Sequence, residues 1–512
     1  MSDQAPKGCF KLQSGIRLIR AAGGGVILQS NPLRVLKING AAMDLLEKCR
    51  TGFEPDQEKS GSDWHTAAGF LDTLVQGGLL EWTPPPPKVL PRVSVVIPVY
   101  NRPAEIEACL ASLQTLDYPH DKLEVIVVDD ASQDQTAAVV RRWGVHLVIQ
   151  ARNRGQSAAR NAGVAAAKGE IIAFLDSDCI AQPGWLRELV PYFQDPRVAL
   201  VGGYVDSYYR EKRMDRYEQA CSALNMGPDP VMGRGTNSVF YVPTCNLLVR
   251  RECYAQVGGL DECLQVGEDV DLCWRFMAKN HHLLYIPRGA VLHKHRNKLL
   301  SGFLRRFDYG TSEAVLYSRF PKVVKQFPWQ TAGLGMILVL AASLAARSWY
   351  GALLAVVMLA VEIGFKRLQL IRKMDIRLPV AEIFKAVMKS HFQLAYYLAF
   401  YMVRYHLLLI IALSFALPSL VWLWLGVILG PTLVAYLQKR PQLSFPVFAF
   451  FYLAEHAFYQ SGAFWGCLKQ ANFRLYRISF RYAGFMAKSS RNAAGHHVAL
   501  KKTPKGAVTG TT

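Results

Sequence analysis

Val93-Ser-Val-Val-Ile-Pro-Val-Tyr-Asn-Arg102 is a short apolar run that ends in polar residues, and it opens the segment whose pattern decides the fold. A run of this length, rich in β-branched side chains, predicts a buried strand followed by a loop. Strand-like stretches follow at 124–130, 146–150, 171–178 and 198–205, and helix-like stretches lie at 103–116, 132–143, 156–168 and 183–193. This alternation predicts βαβ crossovers, and therefore an α/β domain with a mostly parallel sheet.

Composition excludes several classes of protein. Of 512 residues, 59 are Lys or Arg and 39 are Asp or Glu, which gives a formal charge of +20, and 51% are hydrophobic. Such a chain is too apolar to be largely disordered or a simple soluble enzyme, and too polar to be a pure transporter. We expect a small N-terminal domain over 1–83, a proline-rich linker over 84–91, the α/β domain over 92–325, a helical membrane-associated region over 326–487 and a basic disordered tail over 488–512.

Long runs with little or no charge predict the membrane-associated region. The runs are 331–346, 348–365, 405–437 and 443–468. Because a spanning helix needs about 20 apolar residues, the first two runs predict short spans or an embedded hairpin. The third run is interrupted by Pro418 and Pro431, and it predicts a span with a re-entrant turn or two half-spans. A buried soluble helical bundle is the alternative.

Basic residues flank these runs and indicate how the chain meets a membrane. Eight Lys or Arg and two acids lie between Lys366 and Arg404. Positive segments favour the cytoplasmic side and bind anionic headgroups. We therefore expect membrane lipids as partners, localisation at the cell membrane, and the α/β domain facing the cytoplasm. The amphipathic stretch 382–404 is expected to lie in the membrane interface.

Polar residues follow the predicted strands at the sheet edge where open parallel sheets bind ligands. Tyr100 lies where a nucleobase can stack, and the Asp130 carboxylate can accept a hydrogen bond from a base imino group, although many α/β domains end strands with Asp. Asp176 and Asp178 alternate on an extended chain, so both carboxylates are expected to project the same way. Such a pair can hold a divalent cation that bridges a diphosphate.

Two further motifs start helices. In Asn153-Arg-Gly-Gln-Ser-Ala-Ala-Arg160, a glycine turn can aim backbone N–H groups at phosphate oxygens, and Arg154 or Arg160 can add charge-assisted bonds. Close packing of an alanine-rich helix is the alternative there. In Gly267-Glu-Asp-Val-Asp-Leu-Cys-Trp-Arg275, Asp269 can take the proton of an incoming hydroxyl, with Glu268 orienting or tuning it. Acidic stabilisation of any helix N-terminus is the alternative for this pair.

The motifs PVYNR, VDDASQD, NRGQSAARNAG, FLDSD and GEDVDLCWRF, in this order over about 92–296, closely resemble family 2 glycosyltransferases with the GT-A fold. The resemblance implies inverting transfer with Asp269 as general base beside Glu268. It implies a divalent cation, Mn²⁺ or Mg²⁺, held by Asp178 and Asp176. The implied nucleotide-sugar site consists of Pro98, Tyr100, Arg102, Asp130, Arg160 and Asp176.

Three more residues are considered beside these motifs. Trp274 is expected near the acceptor. His293 and His295, in Val-Leu-His-Lys-His-Arg296, can complete the metal site or touch the diphosphate, and surface histidines are the alternative. A Q-x-x-R-W motif is missing from the sequence, which argues against cellulose-type polymerisation.

The first segment combines short strands at 16–20, 25–29 and 33–38 with a helix from Ala41 to about Cys49, capped by Asn39, and a second helix at 66–76. This pattern predicts a winged helix and looks like a PqqD-type peptide-recognition domain. That resemblance implies capture of a leader peptide as an added strand, with the edge in 25–38. Basic residues are too dispersed for a DNA reader, so no nucleic-acid partner is expected.

A PqqD-like head, a family 2 transferase and a hydrophobic C-terminal region together resemble the mycofactocin glycosyltransferase family. This resemblance implies transfer of glucose from UDP-glucose, in β linkage, to premycofactocin or a related small acceptor. Two alternatives stay open. One is a transferase that acts on a polyprenyl phosphate or a cell-wall glycan, and the other is a non-catalytic, membrane-tethered peptide-binding scaffold.

Overall fold

The computed structural model describes residues 7–21, 24–30, 33–55, 62–233, 235, 239–296, 298–374 and 376–481, so the predicted tail at 488–512 lies outside the described residues. The chain forms two compact units. The first comprises Met1–Pro85, Phe327–Ala395 and Phe480–Thr512, and the second comprises Pro86–Gln326 and Tyr396–Ser479. The boundary expected at 325/326 therefore does not separate the α/β domain from the helices that follow, since residues 396–479 pack with that domain.

The N-terminal strands and helices are β1 (Cys9–Leu12), β2 (Ile16–Ala21), β3 (Gly24–Ser30), β4 (Leu33–Asn39), α1 (Gly40–Lys48), α2 (Ser62–Gln76) and β5 (Leu80–Thr83). The predicted strands and both helices are confirmed, and Asn39 caps α1 by accepting a hydrogen bond from the Ala42 amide at 2.9 Å. The antiparallel pair β1–β5 was not predicted. In the described chain, β3 lies between β2 and β4, so the edge expected within 25–38 belongs to β4 alone.

Strands of the second unit are β6 (Val93–Val99), β7 (Leu123–Asp129), β8 (His146–Ile149), β9 (Ile171–Leu175), β10 (Cys179–Ala181), β11 (Val198–Gly202), β12 (Val205–Ser207), β13 (Val231–Gly233), β14 (Asn246–Arg250), β15 (His282–Tyr285) and β16 (Val291–His293). Eight of them form a mixed sheet in the order β13-β15-β11-β14-β9-β6-β7-β8. Strands β9, β6, β7 and β8 are parallel, as predicted.

The prediction of a mostly parallel sheet is wrong in its second half. Strand β14 lies antiparallel between β9 and β11, and β13 is antiparallel to β15. The predicted strand 198–205 divides at Gly203, where an added Cβ would meet Asn246 and the Gly289 carbonyl within 2.5 Å. Its second half, β12, joins a small sheet in the order β10-β16-β12 instead.

The helices of the second unit before residue 320 are α3 (Pro103–Leu113), α4 (Thr136–Arg141), α5 (Gln156–Ala166), α6 (Trp185–Leu189), α7 (Arg213–Cys221), α8 (Arg251–Gln256), α9 (Glu268–Ala278) and α10 (Leu299–Arg319). Helix α5 packs closely on β6 and β7, because Gly163 lies over Val96 and an added Cβ would stand 2.4 Å from the Val96 side chain. Close packing, the structural alternative for this motif, is therefore observed.

The remaining elements are β17 (Lys325–Pro328), α11 (Thr331–Ala345), α12 (Tyr350–Met374), α13 (Val380–Ala416), α14 (Val421–Lys439), α15 (Phe445–Gln470) and β18 (Ile478–Arg481). Among the described helices, α13 and α14 are long and apolar enough to cross a membrane, and α11 is a shorter apolar helix. Pro418 follows the end of α13, as predicted. Pro431 lies inside α14, so the interruption predicted there is wrong. A proline removes one helical hydrogen bond, which can bend a helix without ending it.

Within the first unit, one face of the β2–β4 sheet is covered by helices. Val26 and Leu28 of β3 pack with Val35 of β4 against an apolar set from α12, the connection that follows it and the start of α13: Leu370, Ile376, Leu378, Ile383, Ala386 and Val387. Arg17 of β2 forms an ion pair with Glu382 of α13. The start of α13 thus serves as a packing partner of the N-terminal sheet.

Helices α10 and α15 pack in close backbone contact at glycine residues. An added Cβ at Gly462 would lie 2.0 Å from the Phe307 carbonyl oxygen, and one at Gly310 would lie 2.2 Å from the Tyr459 carbonyl oxygen. Because the obstructing atoms are backbone, no side-chain rotation relieves the contact. Helix α15 is therefore an integral part of the second unit.

We expect Gly462→Ala to lower the free energy of unfolding by about 1–3 kcal/mol, the usual cost of overpacking a tight contact. Gly426→Ala in α14 is the matched control, since an added Cβ there meets nothing within 4 Å and alanine favours a helix by up to about 1 kcal/mol. Thermal unfolding in detergent, followed by circular dichroism, measures both. Equal melting temperatures for the two variants would contradict the close packing.

Candidate active site

The loops after β6 and β7 hold each other in place. The Asn101 amide donates to Ser132 Oγ, and the Gln133 amide donates to Asn101 Oδ1, both at 2.9 Å. The Arg102 amide donates to Thr136 Oγ1 at 2.9 Å. Asn101 adopts a positive φ of 50°, a conformation that asparagine tolerates better than most residues. These bonds fix Tyr100, which is 42% exposed and free to stack on a ligand.

Pro98 lies on β6 where the sheet can tolerate it. Pairing of β6 with β9 ends at Val96, while pairing with β7 continues through Pro98 opposite Val128. Proline lacks an N–H donor, so it fits a strand only where one ladder has ended. Pro98 lies within β6 and Tyr100 directly follows this strand. The prediction that both belong to the pocket for the nucleobase stays a prediction.

Asp130 is buried and its two oxygens are used by the backbone of the next motif. Oδ1 accepts from the Arg154 amide and Oδ2 from the Gly155 amide, each at 2.8 Å. The amides predicted to face phosphate oxygens therefore bind Asp130 instead. Arg154 points to Glu262, with which it pairs at 2.5 Å. Asp130 thus shapes the loop that opens α5.

Arg160 joins the two acidic motifs. Its guanidinium, 1% exposed, pairs with Asp176 Oδ1 at 2.5 Å and with Glu268 Oε1 at 3.1 Å. Glu268 also accepts a hydrogen bond from Gln156 at 2.7 Å. The prediction that Arg160 contacts the donor is not supported by this burial, because both of its charged contacts are internal. Its position instead brings the loop after β9 and the start of α9 to one place.

The D-x-D motif forms a turn. Strand β9 ends at Leu175, and the Cys179 amide donates back to the Asp176 carbonyl at 2.9 Å. The expectation that both carboxylates project the same way from an extended chain is therefore wrong. Asp176 turns to Arg160, whereas Asp178 forms an ion pair with Arg102. Arg102 thus reaches the acidic motif, 76 positions further along the chain.

His293 is brought to Asp178 by the small sheet. Residue Cys179 of β10 lies opposite His293 of β16, which leaves His293 Nε2 3.6 Å from Asp178 Oδ1. That oxygen is buried and has no hydrogen-bond partner in the part of the chain that the structure describes. Burial favours the protonated acid, but His293 and Arg102 outweigh it and hold the pKa of Asp178 below its usual range.

This donor set fits a divalent cation. A carboxylate oxygen without a partner and an imidazole nitrogen face each other, and both are common ligands of transition-metal ions. Cys179 lies within the same cluster, but burial raises its pKa well above the usual value, so it is a neutral thiol. His295 is excluded as a ligand, because Nδ1 bonds Ser207 at 3.0 Å and Nε2 bonds Asp215 at 3.2 Å.

Asp269 lies in the first turn of α9 beside Glu268. The helix starts after Gly267, whose φ of 81° is left-handed and whose added Cβ would lie 3.0 Å from Ser312 Oγ. Glycine is therefore needed at position 267 for α9 to begin in the direction that places Glu268 and Asp269 here. Burial and the adjacent charge of Glu268 raise the pKa of Asp269 to about 7. A carboxylate with this pKa is half deprotonated near neutral pH and suits proton transfer.

Sequence reasoning missed the aromatic surroundings of Asp269. The charge of Asp269 acts on the hydroxyls of Tyr241 and Tyr309, whose pKa values are raised chiefly by burial. Arg305 lies 4.9 Å from the centre of the Tyr309 ring. Tyr241 lies in a region with no regular structure and Tyr309 lies on α10, so no spacing within one sequence relates them to α9.

Trp274 does not lie beside the acid pair. It is 5% exposed, and its ring contacts Tyr317 and Phe320 edge-on at 5.6 and 5.4 Å between centroids. Five residues separate it from Asp269, which on a helix with 3.6 residues per turn places the two side chains about 140° apart. The structure thus puts Trp274 in the core rather than at an acceptor site.

The middle of the chain matches a known family. Residues 94–258 match the family described as glycosyl transferase family 2. Proteins named pre-mycofactocin glycosyltransferase, from two strains of Mycobacterium tuberculosis, are 35% identical over 312 residues, which is 60% of this chain and 63% of theirs. Glycosyltransferase AglE of Haloferax volcanii is 36% identical over 188 residues, 35% of this chain and 60% of its own. The chain thus spans just under two thirds of the length of these relatives.

A solved structure shows a distant likeness. The mannosyltransferase PcManGT from Pyrobaculum calidifontis, in complex with GDP-Man and Mn²⁺, is 20% identical, and the match covers 64% of this chain and 97% of that one with a TM-score of 0.38. Residues 94–258 match a family 2 glycosyltransferase domain, which is built here on a mixed sheet, and over 60% of its length the chain is similar to proteins named pre-mycofactocin glycosyltransferase.

Proposed function

We propose that this protein is a membrane-associated, inverting hexosyltransferase. It transfers glucose from UDP-glucose, in β linkage, to premycofactocin or a related small acceptor. The observation that carries the proposal is the pair of contacts made by Arg160, which brings the acidic motif after β9 and the acids of α9 to one place. The name of the relatives from Mycobacterium tuberculosis supports the choice of acceptor.

The proposed reaction is a single displacement at the anomeric carbon. Asp269 takes the proton of the acceptor hydroxyl, whose oxygen then attacks from the face opposite the leaving diphosphate. Burial and the adjacent charge of Glu268 keep the pKa of Asp269 high enough for this exchange. Tyr100 stacks on the nucleobase between Pro98 and the loop that Asp130 holds. Asp178 and His293 would hold a cation, Mn²⁺ or Mg²⁺, which offsets the charge of the leaving group when bound.

Arg102 supplies a second positive charge at the proposed diphosphate site. Its side chain is 40% exposed and its guanidinium pairs with Asp178, so part of this side chain remains accessible to a ligand. Asp176 is 27% exposed and is held by Arg160. We assign Asp176 to orienting this loop at the donor site, and Arg160 to positioning both acids without touching the donor.

Membrane association is supported by helices α13 and α14, which have the length and composition of spanning helices. The exposed apolar side chains of α14 include Trp422, at 71%, and Leu437, at 60%. With the basic segment Lys366–Arg404, this supports contact with lipids and a transferase domain on the cytoplasmic side of the cell membrane. The proposed peptide partner would add a strand to the outer edge of β4, the side that does not pair with β3.

Two alternative functions can be distinguished from this proposal. An enzyme that acts on a polyprenyl phosphate or a cell-wall glycan would also use the apolar helices, but the sheet of the N-terminal domain would then have no stated role. A non-catalytic scaffold is opposed by the assembled acids, since a silent domain has no need for a carboxylate with a pKa near 7.

Replacement of the proposed base tests the reaction directly. We expect Asp269→Asn to lower the rate of transfer by at least about a hundredfold, the usual contribution of a general base, and to leave the Kd for UDP nearly unchanged. Release of UDP is measured by mass spectrometry, with a panel of nucleotide sugars, with and without premycofactocin. Wild-type turnover in the variant would remove Asp269 from the mechanism, and no turnover of any donor by the wild type would refute the enzyme.

The pH dependence tests the environment of the base. Because Asp269 acts only when deprotonated, kcat/KM should rise with pH and level off above an inflection near 7. The negative charge of Glu268 raises that pKa, so Glu268→Gln should move the inflection to lower pH. Glu107→Gln, on the exposed surface and paired with Arg142, is the matched control. An unchanged inflection in Glu268→Gln contradicts the assigned coupling.

The cation site has its own test. We expect Asp178→Ala and His293→Ala each to weaken UDP binding in the presence of Mn²⁺ by about tenfold, which corresponds to loss of roughly 1.4 kcal/mol. With a chelator present, wild type and both variants should bind UDP equally weakly. His146→Ala on β8 is the control, since this exposed histidine lies on another strand. Equal binding with and without Mn²⁺ in the wild type would exclude the cation from donor binding.

A further inference from the structure

A set of buried polar side chains lies between α13 and α15 in the second unit. We name it the α13–α15 seam and define it as Arg404 with Tyr452, Glu455, His456 and Gln460. The last four lie on one side of α15, because 452, 456 and 460 are spaced by four residues. Tyr452, His456 and Gln460 are 5%, 3% and 5% exposed.

Three atoms of the seam have no hydrogen-bond partner within the described ranges of the chain: Tyr452 Oη, His456 Nε2 and Gln460 Oε1. Buried polar atoms in folded proteins are nearly always paired, with protein, water or a ligand. Three such atoms along two turns of one helix mark the seam as a place where a polar ligand or ordered water would be paired. The rings of Tyr452 and His456 are in contact, with centroids 4.4 Å apart.

The charges of the seam are already balanced by the protein. Arg404 contacts Glu455 at 3.5 Å, and its guanidinium lies 3.3 Å from the centre of the Tyr459 ring. Glu455 also accepts from Tyr217 at 2.8 Å and lies 3.8 Å from Arg306. Arg306 in turn pairs with Glu218 at 2.6 Å. Two arginines therefore face two glutamates, which leaves no spare cation for a phosphate.

The unpartnered atoms define the chemistry of a ligand. Arg404 donates to His456 Nδ1 at 3.0 Å, and since arginine is only a donor, Nδ1 is the acceptor and Nε2 carries the proton. The seam thus offers one N–H donor, one amide oxygen acceptor and one phenol that does both. This pattern matches an uncharged group with hydroxyls or amides, and it does not match a phosphate, which needs donors and positive charge.

The seam adjoins the proposed base. An added Cβ at Gly267, two residues before Asp269, would lie 3.0 Å from Ser312 Oγ of α10. An added Cβ at Gly310 of α10 would lie 2.2 Å from the Tyr459 carbonyl oxygen of α15. Helix α10 therefore contacts both the start of α9 and the turn of α15 that holds Gln460.

We propose that the α13–α15 seam binds the uncharged, hydroxyl- or amide-bearing part of the acceptor, so that a hydroxyl of this molecule reaches Asp269. The inference rests on the proposed function and narrows it, because it assigns a neutral acceptor rather than a polyprenyl phosphate. Helix α15 then has two roles: it packs on α10 through its glycines, and it presents the acceptor site on its polar side.

Tyr452→Phe and Gln460→Met remove the unpartnered oxygens and keep the shape of each side chain. We expect each to raise the acceptor KM about tenfold, with premycofactocin as the probe, and to leave the donor KM and the release of UDP without acceptor unchanged. Ser461→Ala is the matched control on the same helix, since its hydroxyl bonds the Ala457 carbonyl. An acceptor KM within twofold of wild type in both variants would overturn the proposal.

Two more readouts separate a ligand site from a structural one. Because the removed atoms have no protein partner, the melting temperature without acceptor should stay the same or rise, and a clear fall would show that they are satisfied internally. Calorimetric titration of the full chain in detergent compares premycofactocin with undecaprenyl phosphate. Binding of premycofactocin that the variants weaken supports the seam, and preferential binding of undecaprenyl phosphate overturns it. If binding behaves as expected but no sugar is transferred, the proposed function fails instead.

Discussion

The buried ion pairs of Arg160 are the contacts on which the proposed site depends. A guanidinium with 1% exposure is stable only if its charge is matched, and Asp176 and Glu268 both lie within 3.1 Å of it. These acids are 92 residues apart in the sequence, in the loop after β9 and at the start of α9. One side chain of α5 therefore links Asp176, in the proposed donor site, to Glu268, the neighbour of the proposed base Asp269. Removal of either acid leaves the buried charge of Arg160 with one partner instead of two.

The contacts that hold Glu268 in place also influence the pKa of Asp269. Glu268 is fixed by Arg160 and Gln156, and its charge is one reason why the pKa of its neighbour Asp269 is high. On the other side of the site, the pairing of β10 with β16 places His293 opposite Cys179 and so beside Asp178. Asp269 can thus accept a proton near neutral pH, whereas Asp178 stays ionised. Two acids in one site acquire different properties from different neighbours.

The apolar C-terminal region of the chain belongs partly to the second unit. Glycines of α10 and α15 bring two backbones into contact, and Arg306 of α10 pairs with Glu218 of α7 and Glu455 of α15. A hydrophobic composition alone suggested a separate anchor, but α15 carries buried polar residues at helical spacing, which a lipid-facing span would avoid. In the sequence, Glu455 and His456 indicate that α15 is not a lipid-facing span.

The parallel half of the sheet was predictable because β6, β7, β8 and β9 are continuous apolar runs that end in polar motifs. The antiparallel β14 was not, since Asn246-Leu-Leu-Val249 is short and nothing local shows that it enters between β9 and β11. The acids were found by their positions after strands, whereas the inward turn of Arg160 and the burial of Trp274 depend on helix phase and on distant neighbours. Pairing of His293 with Asp178 needed the register of two three-residue strands, which no sequence pattern reports.

The most direct test of this account is a structure of the full chain with UDP and Mn²⁺ bound. The account predicts that the cation is ligated by Asp178 Oδ1 and His293 Nε2, that the diphosphate binds the cation, and that the Asp269 carboxylate faces the open side of the same cleft. A cation bound elsewhere, or Asp269 separated from the diphosphate by the protein core, would contradict it.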